Sequence, residues 1–242
     1  MAWWKDAVIY QIYPRSFQDS NGDGIGDIPG IISRLDHIRD LGADAIWLSP
    51  VYCSPNADNG YDISDYRDIN PEYGTMADME RLIAEARRRN IRIIMDLVVN
   101  HTSTEHWWFR QSRDKTSAYA DYYCWADGRG DGKLPNNWTG FFGEDCWEFD
   151  PQRCQYYLHL FAKTQADLNW DNPEVRREVQ DVVRFWMGKG VRGFRFDVIN
   201  LISKASFEDD HQGDGRRFYT DGPKIHQYLK ELNEATFGRD PG

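Results

Sequence analysis

Two hydrophobic periods alternate along the chain. Short runs rich in β-branched and aromatic residues, Val8-Ile-Tyr-Gln-Ile-Tyr13, Ala45-Ile-Trp-Leu48, Ile91 to Val99 and Phe194 to Phe196, predict four strands. Between them apolar residues recur at helical spacing. Ile28, Ile31, Ile32, Leu35, Ile38 and Leu41 predict a first helix that stops at Gly42. Thr75-Met-Ala-Asp78 has the form of a capping box in front of Met79, Leu82, Ile83 and Ala86. Asn172-Pro173 places an N-cap and a first-turn proline before Val175, Val179, Val182, Val183 and Trp186. A last helix is expected from Pro223 through Ile225, Tyr228, Leu229 and Leu232. Four rounds of strand and helix predict a parallel sheet with helical crossovers.

One interval breaks this rhythm. From about Thr102 to Ala166 the sequence is aromatic and Gly-rich, without a helical period. A structureless loop of that length is implausible in a compact domain, so it reads as a small inserted domain. Its tail, Cys154-Gln-Tyr-Tyr-Leu-His-Leu-Phe161, reads as a strand.

Composition narrows the partners. The 242 residues suffice for one large domain or two modest ones. A net charge of -10 argues against nucleic acid and against anionic membrane surfaces. No apolar run reaches transmembrane length, and the chain enters fold-like sequence at once, so a cytoplasmic location is expected. Cys53, Cys124, Cys146 and Cys154 lack Cys-x-x-Cys spacing, which predicts reduced thiols. The aromatic load, with Trp 10, Tyr 13 and Phe 12, suits a cleft for flat or sugar-like ligands, although a barrel core would use many as well.

Candidate chemistry gathers where strands end. In Gly193-Phe-Arg-Phe-Asp-Val-Ile-Asn200, Arg195 and Asp197 are two apart and share a strand face. Buried charges persist only when paired or used, so the pair is either a structural ion pair or a catalytic strand end. Asp96-Leu-Val-Val-Asn-His101 closes the third strand on a histidine suited to a ligand hydroxyl. Asp58-Asn-Gly-Tyr-Asp62 follows the second with a carboxylate beside an aromatic. The loop from Asp19 sets oxygen donors at Asp19, Asn21, Asp23 and Asp27, with the Ile25 carbonyl between them. This follows a calcium loop except at position twelve, where Gly30 replaces the bidentate Glu; an Asx-rich helix cap is the alternative. A structural Ca²⁺ is expected there.

These segments, with Gln165-Ala-Asp-Leu-Asn-Trp170 and the opening Trp3–Pro14, resemble the alpha-amylase superfamily, glycoside hydrolase family 13, over essentially the whole chain. The resemblance implies a TIM (β/α)8 barrel represented by its first four βα units. Residues 1–102 and 167–242 would belong to the barrel, and residues 103–166 to a B domain inserted after strand 3. It implies Asp197 as the nucleophile of a retaining glycosidase and Arg195 as the cation that keeps it ionised. Asp58, Tyr61 and His101 would hold the non-reducing glucose.

The family's general acid is a Glu ending the fifth strand, which is expected beyond Gly242. The chain alone is therefore expected not to turn over substrate. Val198 resembles the oligo-1,6-glucosidase, dextran glucosidase and trehalose-6-phosphate hydrolase type. The segments Gly213–Pro223, Thr164–Trp170 and Asn200–Lys204 lean towards the last, making a sugar phosphate the first expected substrate and an isomalto-oligosaccharide the second. Lys204, Arg216 and Arg217 are the basic groups a phosphate would need; the alternative is solvated loop charge. A non-catalytic relative, like the heavy chains of amino-acid transporters, fits less well because Asp58, His101, Arg195 and Asp197 are all present.

Overall fold

The computed structural model describes residues 3–130 and 132–239. Its centre is a four-stranded parallel sheet in sequential order: β1 (Ile9–Ile12), β2 (Ala45–Leu48), β3 (Arg92–Val98) and β4 (Gly193–Asp197). Helices α1 (Ile28–Ser33) and α2 (Leu35–Asp40) cross from β1 to β2, and α3 (Met76–Arg88) crosses from β2 to β3. Helix α4 (Pro173–Gly188) leads into β4, and α5 (Ile225–Ala235) follows it. The apolar faces read from the sequence are the buried ones: Met79, Leu82, Ile83 and Ala86 of α3, and Val175, Val179, Val182, Val183 and Trp186 of α4. Thr75 and Asp78 form the reciprocal capping box, and Asn172 caps the Glu174 amide ahead of Pro173.

Two predicted helices differ from expectation. The first is broken at Arg34, whose φ of -108° and ψ of 3° leave the helical region, so it becomes α1 and α2. Breaking it keeps Ile28, Ile31, Leu35 and Ile38 all buried while Leu41 turns to solvent. The last helix begins at Ile225 rather than Pro223, behind Lys224.

Between β3 and α4, His101–Ser103 pairs antiparallel with Gln165–Asp167, so the two ends of the irregular interval lie side by side. Within it, Gln155–Leu158 is the centre of a three-stranded antiparallel sheet with Trp125–Ala126 and Trp147–Asp150. It also contains a helix, Trp107–Ser112, that no periodicity announced. A hairpin of Tyr52–Cys53 with Asp65–Ile69 follows β2 and was likewise not foreseen. A second apolar cluster, around Trp138, Trp147, Leu158 and Leu160, joins this interval to Leu201 and Tyr219 after β4. Among the described residues no helix is long and apolar enough to cross a membrane.

Candidate active site

The parallel register places Arg195 of β4 directly opposite Asp96 of β3, and Trp47 of β2 opposite Ile94 of β3. Residues two apart share a face, so Trp47, Asp96, Arg195 and Asp197 gather on one side of the sheet near its carboxyl end. The Arg195 guanidinium joins two carboxylates. Its Nη1 donates to Asp197 Oδ1 at 2.6 Å and to both oxygens of Asp96 at 3.1 and 3.2 Å, while lying over the Trp47 ring. Asp96 Oδ2 also accepts from Trp47 Nε1 at 3.1 Å and from the Tyr61 hydroxyl at 3.2 Å.

The electrostatics follow from this sharing. Burial pushes Asp96 up to about 6, with Arg195 pulling the other way and the Asp197 charge adding to the rise. Burial also works against the Arg195 charge, yet the two carboxylates outweigh it and hold the guanidinium above its ordinary value. Burial first, then the Asp96 charge, raises the Tyr61 hydroxyl. Tyr61 therefore stays a neutral donor.

The turn after β2 is held by buried Asp62, which accepts the Ala57 and Asp58 amides at 2.9 and 3.0 Å. That presents the Asp58 carboxylate to Gln165 Nε2 at 2.9 Å. His101 is fully buried, and burial pushes its imidazole below the ordinary value. Its Nε2 lies 3.2 Å from the Tyr61 carbonyl and 3.3 Å from Gln165 Nε2, and its Nδ1 lies 3.3 Å from Asn100 Nδ2. Both ring nitrogens are thus engaged by the protein, and the ring edges against Phe161 at 5.0 Å between centroids. So Asp197, Arg195, Asp58, Tyr61 and His101 belong to one connected cluster.

Three parts of this cluster were not foreseen. Asp96 has as its sequence signal only a lone carboxylate in the apolar run of β3. Gln165 bridges Asp58 to the Tyr61 carbonyl and had no local signature. Lys204 donates to Asp167 Oδ2 at 2.8 Å and Asn100 Oδ1 at 3.0 Å, with its side chain only 5% exposed. Read from the sequence as a basic group for phosphate, it is a buried tie among the turn after β3, the strand Gln165–Asp167 and the segment after β4. Arg217 pairs with Asp210 at 3.0 Å, and Arg216 with Asp214 at 3.2 Å. Val198, next to Asp197, has φ 38° and ψ 38°, a left-handed conformation that a β-branched residue adopts only under strain.

The Asp19 loop is wound around its own side chains. Asp19 accepts the Asn21, Gly22 and Gly24 amides, Asn21 accepts that of Asp23, and Asp23 that of Ile25. The amides of Gly24 and Gly22 lead in holding the Asp19 carboxyl below its ordinary value. Asp27 faces elsewhere: it caps α1 through the Gly30 amide and accepts from Ser20. Gly30 cannot be a Glu, since even a Cβ there would lie 2.0 Å from the Gln18 carbonyl oxygen. Among the described residues no three His, Cys, Asp or Glu side chains converge as a metal-ligand group.

A profile of the alpha-amylase catalytic domain matches residues 11–241. The chain belongs to the alpha-amylase family. Similar curated proteins in that family are an oligo-1,6-glucosidase of Parageobacillus thermoglucosidasius and a trehalose-6-phosphate hydrolase of Bacillus subtilis. The first is 55% identical over 99% of this chain and 45% of its own length; the second is 56% identical over 97% and 42%. Among solved structures, trehalose-6-phosphate hydrolase of Bacillus licheniformis superposes with a TM-score of 0.98 at 56% identity, covering all of this chain and 44% of that one. The chain therefore spans less than half the length of the relatives it matches. With these neighbours, the parallel sheet and its outer helices are part of a TIM barrel, not yet closed by the four strands described.

Proposed function

We propose that the protein carrying this chain is a retaining α-glucosidase, with Asp197 as nucleophile, acting on trehalose 6-phosphate. The observation that carries the reading is the single guanidinium of Arg195 held between Asp197 and Asp96 at the carboxyl ends of adjacent strands. A guanidinium donating to the nucleophile at 2.6 Å restricts its rotamer and aims it, as attack on an anomeric carbon requires. Asp58 and Tyr61 would hold the glucose ring beside it, with His101 supporting them through the Tyr61 carbonyl.

Retention needs a second carboxyl about 5–5.5 Å away to protonate the leaving oxygen. We propose that this acid lies outside the 242 residues and that the chain by itself does not complete turnover. The likeness to the Bacillus licheniformis enzyme supports the phosphorylated disaccharide. The equally similar oligo-1,6-glucosidases support a second reading, α-1,6-linked glucosides. Comparing kcat/KM of the full-length protein on trehalose 6-phosphate and isomaltose separates them. Preference for isomaltose overturns the first substrate, and hydrolysis of neither overturns the reaction class.

Two further parts of the reading concern surroundings. The free thiols, two of them buried, suit a reducing cytoplasm. We also propose a structural Ca²⁺ at the first loop. Asp27 is committed to its helix cap, so the ligands would be Asp19, Asn21, Asp23 and the Ile25 carbonyl. The hydrogen-bonded winding already turns hard oxygen donors of these residues into one loop.

A further inference from the structure

Beyond His101 a row of rings leads out of the cluster. Phe161 meets His101 at 5.0 Å and stacks on Phe141 at 4.9 Å with only 8° between planes. The Arg216 guanidinium lies over Phe141 at 5.2 Å from its centroid. The three steps are each about the width of a sugar ring, and the last two residues are open to solvent: Phe141 is 38% exposed and the Arg216 side chain 57%.

Rigid structure supports this end of the row. Tyr219 is fully buried, packs edge-on against Phe141 and donates to the Thr139 carbonyl. Gly215, at φ +94°, presses so closely on Trp138 that a Cβ would lie 2.4 Å from the ring. That contact fixes where the backbone releases Arg216.

The three candidate cations differ in availability. Lys204 is buried against Asp167. Arg217 is turned to buried Asp210 and to the Phe218 ring. Arg216 pairs with Asp214, but both are about half exposed, and such a pair is worth little in water. A dianionic phosphate, offering bidentate acceptors, competes well for a guanidinium held in that way.

We propose that Arg216, held over Phe141, recognises an anionic substituent on the leaving-group sugar, so that this arginine selects phosphorylated over neutral disaccharides. The inference rests on the α-glucosidase reading of the Asp197 cluster and deepens it. In the full-length protein, Arg216→Gln lowers kcat/KM for trehalose 6-phosphate about tenfold, through KM, and leaves isomaltose hydrolysis unchanged; a tenfold loss is the scale of one charge-assisted hydrogen bond. Phe141→Leu weakens the same preference, and Arg217→Gln does not. Unchanged preference for trehalose 6-phosphate in Arg216→Gln overturns the inference while leaving the α-glucosidase reading intact. Hydrolysis of neither sugar by the unsubstituted protein overturns both.

Discussion

At the scale of residues, Arg195 is the arbiter between two carboxylates. Asp96 is the more buried, and its folded-state value of about 6 stands above the ordinary 3.8. The sign follows directly. Between about pH 4 and 6 the unfolded chain has lost this proton and the folded chain keeps it, so Asp96 makes stability fall as pH rises through that window. Carboxyl-resolved NMR should find Asp96 titrating near 6, and Asp96→Asn should flatten the stability profile there. Titration near 4 with an unchanged profile would contradict the assignment. Asp197 and Arg195 were legible because a charged pair two apart in an apolar run is unusual. Asp96 carried a similar signal, but its partner became visible only with the register that sets Arg195 against it.

At the scale of elements, runs of β-branched and aromatic residues located the four barrel strands, and periodicity located the buried faces of α3 and α4, because burial on one side of a helix imposes the repeat. It missed the helix Trp107–Ser112, which is too short for a repeat to emerge, and the break at Arg34, which serves packing rather than local preference. Charge alone pointed Lys204 towards a phosphate, since a cation that ties three segments looks in sequence like any loop cation. Lys204→Met would leave Asp167 buried opposite an apolar group, a loss of about 3–5 kcal/mol for a broken buried pair. Chemical denaturation measures it, and a loss under about 1 kcal/mol would contradict the tie. At the first loop, the proposed calcium at about 100 times its Kd would stabilise by about 2.7 kcal/mol, enough to raise the melting midpoint several degrees. Asp19→Ala should abolish that rise. An unshifted midpoint in millimolar calcium would end the calcium proposal.

At the scale of the whole molecule, the chain supplies four consecutive parallel strands and the loops at their carboxyl ends, where barrels of this kind keep their chemistry. The order of motifs made that architecture legible, since each followed a strand. Substrate choice was less legible, because the proposed selection by Arg216 turns on burial, which commits Lys204 and Arg217 to buried carboxylates and which no sequence pattern marked. Asp197 as the attacking group is the claim on which the reaction, the pocket and the Arg216 inference all depend. Its most direct test incubates the full-length protein with a slow fluorinated glucosyl fluoride and sequences the labelled peptide by mass spectrometry. The account predicts one hexosyl unit esterified to Asp197 and no label in Asp197→Asn. A label on another residue, or hydrolysis that inverts the anomeric centre without any adduct, would contradict it.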